Sequence, residues 1–473
     1  MRTLRPDLCV IGAGSGGLSV AAGAAMLGRK VVLIEKGEMG GDCLNYGCVP
    51  SKALLAAGAR AQAMRDAGPF GIAPVEPQID ARAVRDHVRS VIAAIAPTDS
   101  QQRFEGLGVT VIRAAARFRD RRTVEAEGTR IRARRFVIAT GSSPAVPPIP
   151  GLGDAPYFTN ETIFEKDFIP PHLIVIGAGP IGLEMAQAHR RLGSEVTVLE
   201  ALRALPRDDP ELVAILVAAL RREGVVLHEG TSVKAIEKTE LGIRVHAEAE
   251  GQAGIVEGTH LLIAAGRRPN IAELNLDAAG IAHGPRGIAV DRGLRTTNRR
   301  AYAVGDVAGG PQFTHAAGYH AGLVIRNALF RLPVRADYAA LPWASYTEPE
   351  LAHVGLGEDE ARAKHKTIRV LRWPLAENDR ARTMRTTAGA IKLVVAANGR
   401  VLGATIVAPH AGELILSWAV AIGARLGLSA MAGAIAPYPT LSELSKRAAG
   451  TFYTPTLFSA RARALVRFLS LFG

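Results

Sequence analysis

Cys43 and Cys48 stand five positions apart in the segment Gly40–Lys52, GGDCLNYGCVPSK, and Lys52 follows four residues later. In a regular helix, residues at that spacing have Cα atoms roughly 8–9 Å apart, beyond the span of about 4.4–6.8 Å that a disulfide bridges. A bond between them therefore requires the backbone to leave helical geometry, and Gly47 and Pro50 sit where they permit this. A strained, partly exposed disulfide is the easily reduced kind. Lys52 and a helix N-terminus would together favour the thiolate, the nucleophilic form of the thiol. Two other readings stand beside this one: a pair of buried thiols, or half of a metal site. The spacing CxxxxC is not that of a zinc ligand pair, and Cys9 is the one further cysteine, so no metal ligand is assigned. Cys9 itself, beside Val10 in an apolar run, reads as core packing.

A second chemistry is written in glycines. Gly12, Gly14 and Gly17 form GxGxxG, and Gly177, Gly179 and Gly182 form it again. The first glycine permits a tight turn, the second lets backbone approach a pyrophosphate, and the third lets the helix pack closely on the strand. The helix N-terminus then favours the anion. Each copy follows an apolar strand, opens a helix, and has an acid about 20 residues on, at Glu35 and Glu200, suited to ribose hydroxyls. A carboxylate at Glu200 repels a 2′-phosphate and so favours NADH, while Arg203 and Arg207 nearby keep NADPH open.

These motifs need particular elements around them. Asp7–Gly17 reads as a strand entering a glycine turn, followed by a helix (Leu18–Gly28) and a strand (Lys30–Ile34); His172–Glu200 repeats the βαβ pattern. Helices are expected over Ser51–Ala67 and over Ala81–Ile95, the latter stopped by Pro97, and strands over Val109–Ala139 and Val225–Ala265. Pro144–Pro150, PAVPPIP, reads as a linker at a domain boundary. After Leu341 the texture becomes mixed strands and helices without a glycine fingerprint. The fold class is therefore α/β, with two Rossmann-like dinucleotide-binding domains and a C-terminal α+β domain. With 473 residues, 48% of them hydrophobic and 21% charged, the chain is an ordinary multidomain globular protein. Its net charge of +13 is spread along the chain. The densest basic run, Arg117–Arg135, alternates with Val124 and Ile131 and carries Glu125 and Glu127, which reads as a solvated hairpin face and not as a nucleic-acid patch. Three cysteines do not make a disulfide framework, and neither a signal peptide nor a transmembrane run is read, so the expected location is the cytoplasm.

GGDCLNYGCVPSK resembles the active-site motif of the pyridine nucleotide–disulfide oxidoreductases, the family of dihydrolipoamide dehydrogenase, glutathione reductase and mercuric reductase. IATGS (Ile138–Ser142), GAGPIGLE (Gly177–Glu184), AAGRRPN (Ala264–Asn270), AYAVGDVAG (Ala301–Gly309) and YTEPELAHVG (Tyr346–Gly355) stand in that family's order. The resemblance implies an FAD-binding domain over 1–150 and 271–340, an NAD(P)-binding domain over 151–270, and a dimerisation domain over 341–473. It implies that Gly12, Gly14, Gly17, Glu35, Lys36, Lys52, Thr140, Gly141, Ser142 and Asp306 serve FAD, with Thr314, His315 and Ala316 opening a helix toward the flavin pyrimidine. Gly177, Gly179, Gly182, Glu200 and Gly266 would serve NAD(P)H. Cys48 would lie against the flavin as the charge-transfer thiol, Cys43 would attack the substrate, and Lys52 would pair with Glu184. The implied enzyme is a homodimer acting on a small-molecule or protein disulfide.

The sequence departs from the family at one catalytic position. The disulfide-reducing members carry His-Pro-Thr-x-x-Glu, supplied by the partner subunit. Here the stretch is Tyr438-Pro439-Thr440-Leu441-Ser442-Glu443, so Glu443 matches and the base histidine is Tyr438. A phenol is a poor base at neutral pH, and two readings of Tyr438 stand level: a proton donor, or an aromatic lining the cleft. Tyr438 and Asp379-Arg380-Ala381 resemble the mercuric-reductase branch, yet that branch's second cysteine pair has no counterpart here. A metal-ion reductase and a non-enzymatic redox-sensing flavoprotein are therefore carried as alternatives. Leu457–Phe472, with Arg461, Arg463 and Arg467, is read as a helix packed on the dimerisation domain in preference to one lying on a membrane surface.

Overall fold

The computed structural model describes residues 2–472. Leu8–Ile11 is apolar throughout and buried throughout, as a strand covered on both faces must be, and forms β1. It leads through α1 (Ser15–Met26) to β2 (Val31–Glu35), α2 (Gly41–Asn45) and α3 (Cys48–Arg65), and then to β3 (Thr110–Arg113) and β4 (Arg135–Ile138). The second copy of the pattern runs through β5 (Tyr157–Phe158), β6 (His172–Ile176), α4 (Pro180–Arg191), β7 (Glu195–Leu199) and β8 (His260–Ile263). The chain then returns to the first sheet as β9 (Ala301–Ala303) and lays α5 (Thr314–Ala328) against α1.

The first sheet is parallel in the order β9-β4-β1-β2-β3, with Ile11 opposite Ile34 on one side and Ile138 on the other. Alternate residues of β1 feed two cores: Cys9 and Ile11 pack with Phe118 and Phe136, Leu8 and Val10 with Leu18 and Val324. Cys9 is fully buried, as expected. In the second copy β5, β8, β6 and β7 lie side by side, also parallel. Each glycine turn leaves the C-terminal end of a strand that has parallel neighbours on both sides, where open α/β sheets bind ligands. The basic run forms three short antiparallel strands within 117–131; Phe118, Val124 and Ile131 point into the core and Arg117, Arg119 and Arg130 into solvent. The helix expected to stop before Pro97 continues to Asp99. Proline removes one hydrogen bond but tolerates a single further half-turn.

Two compact units are present: one takes in residues up to 201 together with 230–336, the other 202–229 together with everything from 337 on. Assignment of 202–229 to the second unit was not legible in the sequence; the helix Pro210–Arg222 buries an apolar face, and an ionic cluster ties its start to the sheet. The Lys392 ammonium, almost fully buried, contacts Asp209 at 2.7 Å, Glu358 at 2.9 Å and Glu211 at 3.1 Å. Arg372 makes a two-pronged contact with Glu211, and Trp343 donates its indole N–H to Asp208 at 2.7 Å. A buried ammonium is stable only with such compensation. The sheet of this unit is antiparallel in the order β10 (Pro342–Ser345), β11 (Glu350–Gly355), β14 (Val401–Ala408), β13 (Ala390–Ala396), β12 (Ile368–Pro374). It carries α6 (Ala411–Gly423) and α7 (Glu443–Gly450). The last helix, α8 (Ala460–Leu469), departs from the expected packed helix: none of its residues is buried. No helix among the described residues is long and apolar enough to cross a membrane.

Candidate active site

The cysteine segment is fixed to the first glycine turn by backbone alone. Gly40 adopts a left-handed conformation (φ 89°) and donates its N–H to the carbonyl of Ala13 at 2.9 Å. A Cβ on Gly41 would fall 2.7 Å from the Cα of Gly14, so the two loops touch with no room for a side chain. α2 ends at Asn45, Tyr46 and Gly47 leave helical geometry, and α3 begins at Cys48. The break between the cysteines falls at Gly47, where a Cβ would stand 2.8 Å from the Asp42 carboxylate. Pro50 has a different part from the one expected: it lies in the first turn of α3, where a missing N–H costs nothing.

Both thiols are free, Cys43 half-buried and Cys48 exposed. Cys48 opens an 18-residue helix, whose dipole favours negative charge there. Its Sγ is 3.4 Å from Oγ1 of Thr314, the first residue of α5. The Cys48 thiol is pulled down to about 6, chiefly by the hydrogen bond from Cys43, then by the Thr314 hydroxyl and the Lys52 charge; burial and the Asp42 carboxylate oppose this. Cys43 moves well above the usual thiol range because it is the donor to Cys48 and because it is partly buried, with the Thr314 and Ser15 hydroxyls opposing. In the reduced pair the negative charge thus resides on Cys48 and the proton on Cys43. Lys52 extends from the same face of α3, one turn on, and its ammonium is 2.8 Å from the buried Glu184 carboxylate of α4. α3 and α4 approach closely at Gly58, where a Cβ would sit 3.3 Å from the Ala188 carbonyl.

The two glycine turns are copies of one another in detail. A Cβ on Gly12 would lie 2.3 Å from the Ala139 carbonyl, and one on Gly177 would lie 2.5 Å from that of Ala264. On Gly17 and Gly182 it would lie 1.9 Å from the carbonyls of Gly12 and Gly177. The middle glycines differ: the nearest atom to a Cβ on Gly14 is 3.9 Å away, and on Gly179 nothing lies within 4 Å. The protein itself does not demand glycine there, whereas a pyrophosphate resting on the turn does. Glu35 accepts from the Ala13 N–H at 2.5 Å and the Gly37 N–H at 2.7 Å, and Glu200 accepts from the Ala178 N–H at 2.8 Å. Each acid therefore grips its own turn while keeping lone pairs for a ribose.

The first turn forms one end of a cavity of about 940 Å³, large enough for an extended dinucleotide. Its walls include Gly12, Gly14, Glu35, Lys36, Cys43, Thr140, Gly141, Ser142, Asp306 and Thr314. Of the other residues expected to serve FAD, Gly17 lies beneath the turn, His315 is exposed and stacked on Phe313, and Ala316 is fully buried, its place on the wall taken by Ala317. Asp306 is raised above the usual carboxylate range by burial and by Asp42, against the pull of Ser142 and Arg267. The Ser142 hydroxyl donates to Asp306 at 2.5 Å, and the Arg267 guanidinium reaches Ser142 at 2.7 Å and Asp42 at 3.0 Å. Arg267 was not singled out from the sequence, though it stands in AAGRRPN; an arginine directly after the motif's glycine was the signal. Asn270 was also missed, and exchanges hydrogen bonds with Thr140 at 2.7 and 3.0 Å. Gly266 has φ +116° and accepts from the Ala145 N–H. In the second unit, Tyr438 is exposed and donates its hydroxyl to Asp379 at 3.0 Å, and Glu443 begins α7.

The family model for pyridine nucleotide-disulphide oxidoreductases matches residues 6–321, and that for the family's dimerisation domain matches 341–449. The chain is 37% identical to a mercuric reductase of Bacillus cereus over 449 residues, covering 94% of this chain and 71% of that protein. It is 38% identical to a dihydrolipoyl dehydrogenase of Thermus scotoductus over 455 residues, covering 92% and 95%. Among solved structures, the Cu(II) complex of the HOCl-induced flavoprotein disulfide reductase RclA from Escherichia coli superimposes with a TM-score of 0.83 at 29% identity, over 93% of this chain and 98% of that one. The chain belongs to the pyridine nucleotide–disulphide oxidoreductases and is an FAD- and NAD(P)H-dependent flavoprotein oxidoreductase carrying that family's dimerisation domain.

Proposed function

We propose that this enzyme reduces a small-molecule or protein disulfide, or a related oxidised sulfur compound, in the cytoplasm at the expense of NADH, with Cys43 and Cys48 as its redox pair. The observation that carries this reading is the low-lying Cys48 thiol at the start of α3, beside Cys43 and Thr314 and next to the cavity that begins at Gly12. When bound, flavin and nicotinamide supply the hydride chemistry that thiols lack. Residues 1–150 with 271–340 hold FAD, 151–270 hold the nicotinamide nucleotide, and 341–473 make the dimer. Glu35 and Asp306 hold the sugar portions of FAD, Gly12 and Gly14 its pyrophosphate, and Lys52 with Glu184 stands by the reacting edge. The Cys43 thiolate attacks one sulfur of the substrate; the substrate S–S bond breaks and one thiolate leaves. The Cys48 thiolate then attacks the Cys43 sulfur, which forms the Cys43–Cys48 disulfide and expels the second thiolate.

Cys43 must first lose the proton it holds, and Tyr438 is not a base suited to take it. Substrates with acidic leaving thiols, which depart without a proton donor, are therefore favoured. NADH is favoured by Glu200 and by the commitments of its two arginine neighbours. Arg203 donates to the carbonyls of Pro206 and Asp208 at 2.7 and 3.0 Å, and Arg207 lies over the Trp343 ring. The test is steady-state reduction of dithiobis-nitrobenzoate with either nucleotide. The expected kcat/KM for NADH exceeds that for NADPH at least about tenfold, roughly 1.4 kcal/mol, and Glu200→Ala narrows the ratio. Thiol release with neither nucleotide would refute the reading.

A metal-ion reductase is the second reading, favoured by the mercuric reductases among the chain's relatives and by Tyr438 in place of histidine. Soft thiolates bind such an ion without needing a base. Mercury(II)-dependent oxidation of NADH or NADPH distinguishes it, and its lack at saturating mercury removes it.

A further inference from the structure

Beyond the redox site, the most unusual surface of the molecule is α8 and its flanks. Leu465, Phe468, Leu469 and Phe472 recur at the spacing of one helix face, and the Phe468 and Phe472 rings meet edge to face at 5.2 Å. All four are more than half exposed, and α8 has no buried residue. Leu457 and Phe458, just before the helix, are exposed as well. Arg463 and Arg467 occupy the opposite face, and Arg461 stands on the apolar face one turn before Leu465. From Leu444 to Phe472 the chain has five basic residues (Lys446, Arg447, Arg461, Arg463, Arg467) and no Asp or Glu. An apolar stripe of this kind, left open to water, marks an interaction surface.

We propose that α8 docks the enzyme on an anionic phospholipid surface, lying in the plane of the interface with Leu465, Phe468, Leu469 and Phe472 among the acyl chains. Charge decides between a membrane and a second copy of this chain. The protein carries a net charge of +13, and an isologous contact through the apolar stripe would bury Arg461 of both copies with no acidic residue between 444 and 472 to meet either. An anionic bilayer offers the opposite charge and takes apolar side chains without a shaped pocket. The arginine stems are long enough to keep their guanidinium groups at the headgroups while the apolar face is immersed. Ser459, accepting from the Ala462 N–H at 3.1 Å, caps the helix and gives its first turn a fixed start. The attachment is peripheral, since no described helix spans a bilayer, and it leaves the cysteine segment, in the other compact unit, outside the lipid-binding element.

The test is co-sedimentation of the flavin-loaded enzyme with vesicles. Vesicles of equal parts phosphatidylcholine and phosphatidylglycerol should bind the enzyme on the order of a hundredfold more tightly than pure phosphatidylcholine, about fivefold for each arginine of α8. Binding should weaken as salt is raised. The double variant Leu465→Glu/Phe468→Glu should abolish binding with its oligomeric state and NADH-driven disulfide turnover unchanged, because both side chains are exposed. Arg463→Gln/Arg467→Gln, which keeps the apolar stripe, should lower binding to the anionic vesicles roughly 25-fold by the same factor. Equal binding to both vesicle types, no binding to either, or a glutamate variant that still binds would overturn the proposal. So would a change in oligomeric state on Leu465→Glu/Phe468→Glu, since a second copy would then cover the stripe.

Discussion

Cys48→Ser is expected to lower NADH-driven disulfide turnover by roughly three orders of magnitude or more while leaving the flavin bound. The size follows from the role: removal of a residue that is itself part of the bond-exchange chemistry leaves only binding and positioning behind. A serine hydroxyl at the start of α3 does not ionise in the accessible pH range and cannot close a bond to Cys43. The mixed disulfide between Cys43 and substrate would therefore accumulate, with one thiol released and no second. Flavin retention follows from geometry, since Gly12, Glu35, Ser142 and Asp306 on the cavity walls are untouched by a thiol-to-hydroxyl change at Cys48. The wild-type enzyme supplies a pH control. Cys48 is the charged member of the reduced pair, held down to about 6 chiefly by the Cys43 hydrogen bond. Its rapid alkylation by iodoacetamide should persist at neutral pH and be lost as pH falls through about 6, because the thiolate is the form present above that value. In Cys43→Ser a hydroxyl can still donate to Cys48, so much of that low value should survive. A Cys48→Ser enzyme with ordinary turnover would remove this cysteine from the mechanism.

Tyr438→His should raise dihydrolipoamide oxidation on the order of a hundredfold, the lower part of the range that a positioned acid–base group contributes. Oxidation of a dithiol needs a base at the first step. The Tyr438 phenol is already a poor one, and the Asp379 carboxylate, 3.0 Å away as acceptor and negatively charged, pushes it further above its ordinary value. At neutral pH its phenolate form is below roughly 0.1%. An imidazole at the same place titrates near neutrality, and beside Asp379 the charged form is favoured, so the gain should grow as pH rises from 7 toward 8. Tyr438→Phe separates the two roles that remain for the phenol. Loss of rate with unchanged KM would assign it proton donation, and a change in KM alone would assign it to lining the cleft. No gain from histidine would mean that proton removal is not what limits this enzyme with dithiols.

Much of the site could be read from local pattern because its parts are local. The GxGxxG turns, the acids at Glu35 and Glu200, and the broken helix between Cys43 and Cys48 each depend on residues within about 25 positions of one another. The Lys52–Glu184 pair is long-range, and only the family motifs pointed to it. Arg267 illustrates what a pattern omits: its partners Ser142 and Asp42 lie in different segments, and only the folded sheet brings them to one wall. Lys392 is a stronger case. Nothing around it in sequence announces a buried ammonium held by three carboxylates, two of them from the helix Pro210–Arg222 and its cap. That cluster ties the start of this helix to the second compact unit. The helix through Pro97 and the exposed α8 were misread for a simpler reason, since propensity and amphipathicity fix where a helix forms but not what it packs against.

The central claim is that electrons entering from NADH arrive at Cys43 and Cys48. Anaerobic titration of the air-oxidised enzyme with NADH, counting thiols under denaturing conditions, tests it most directly. Two new thiols per chain should appear with one equivalent of NADH, together with a long-wavelength charge-transfer absorbance that Cys48→Ser lacks. Bleaching of the flavin with no new thiol would contradict it.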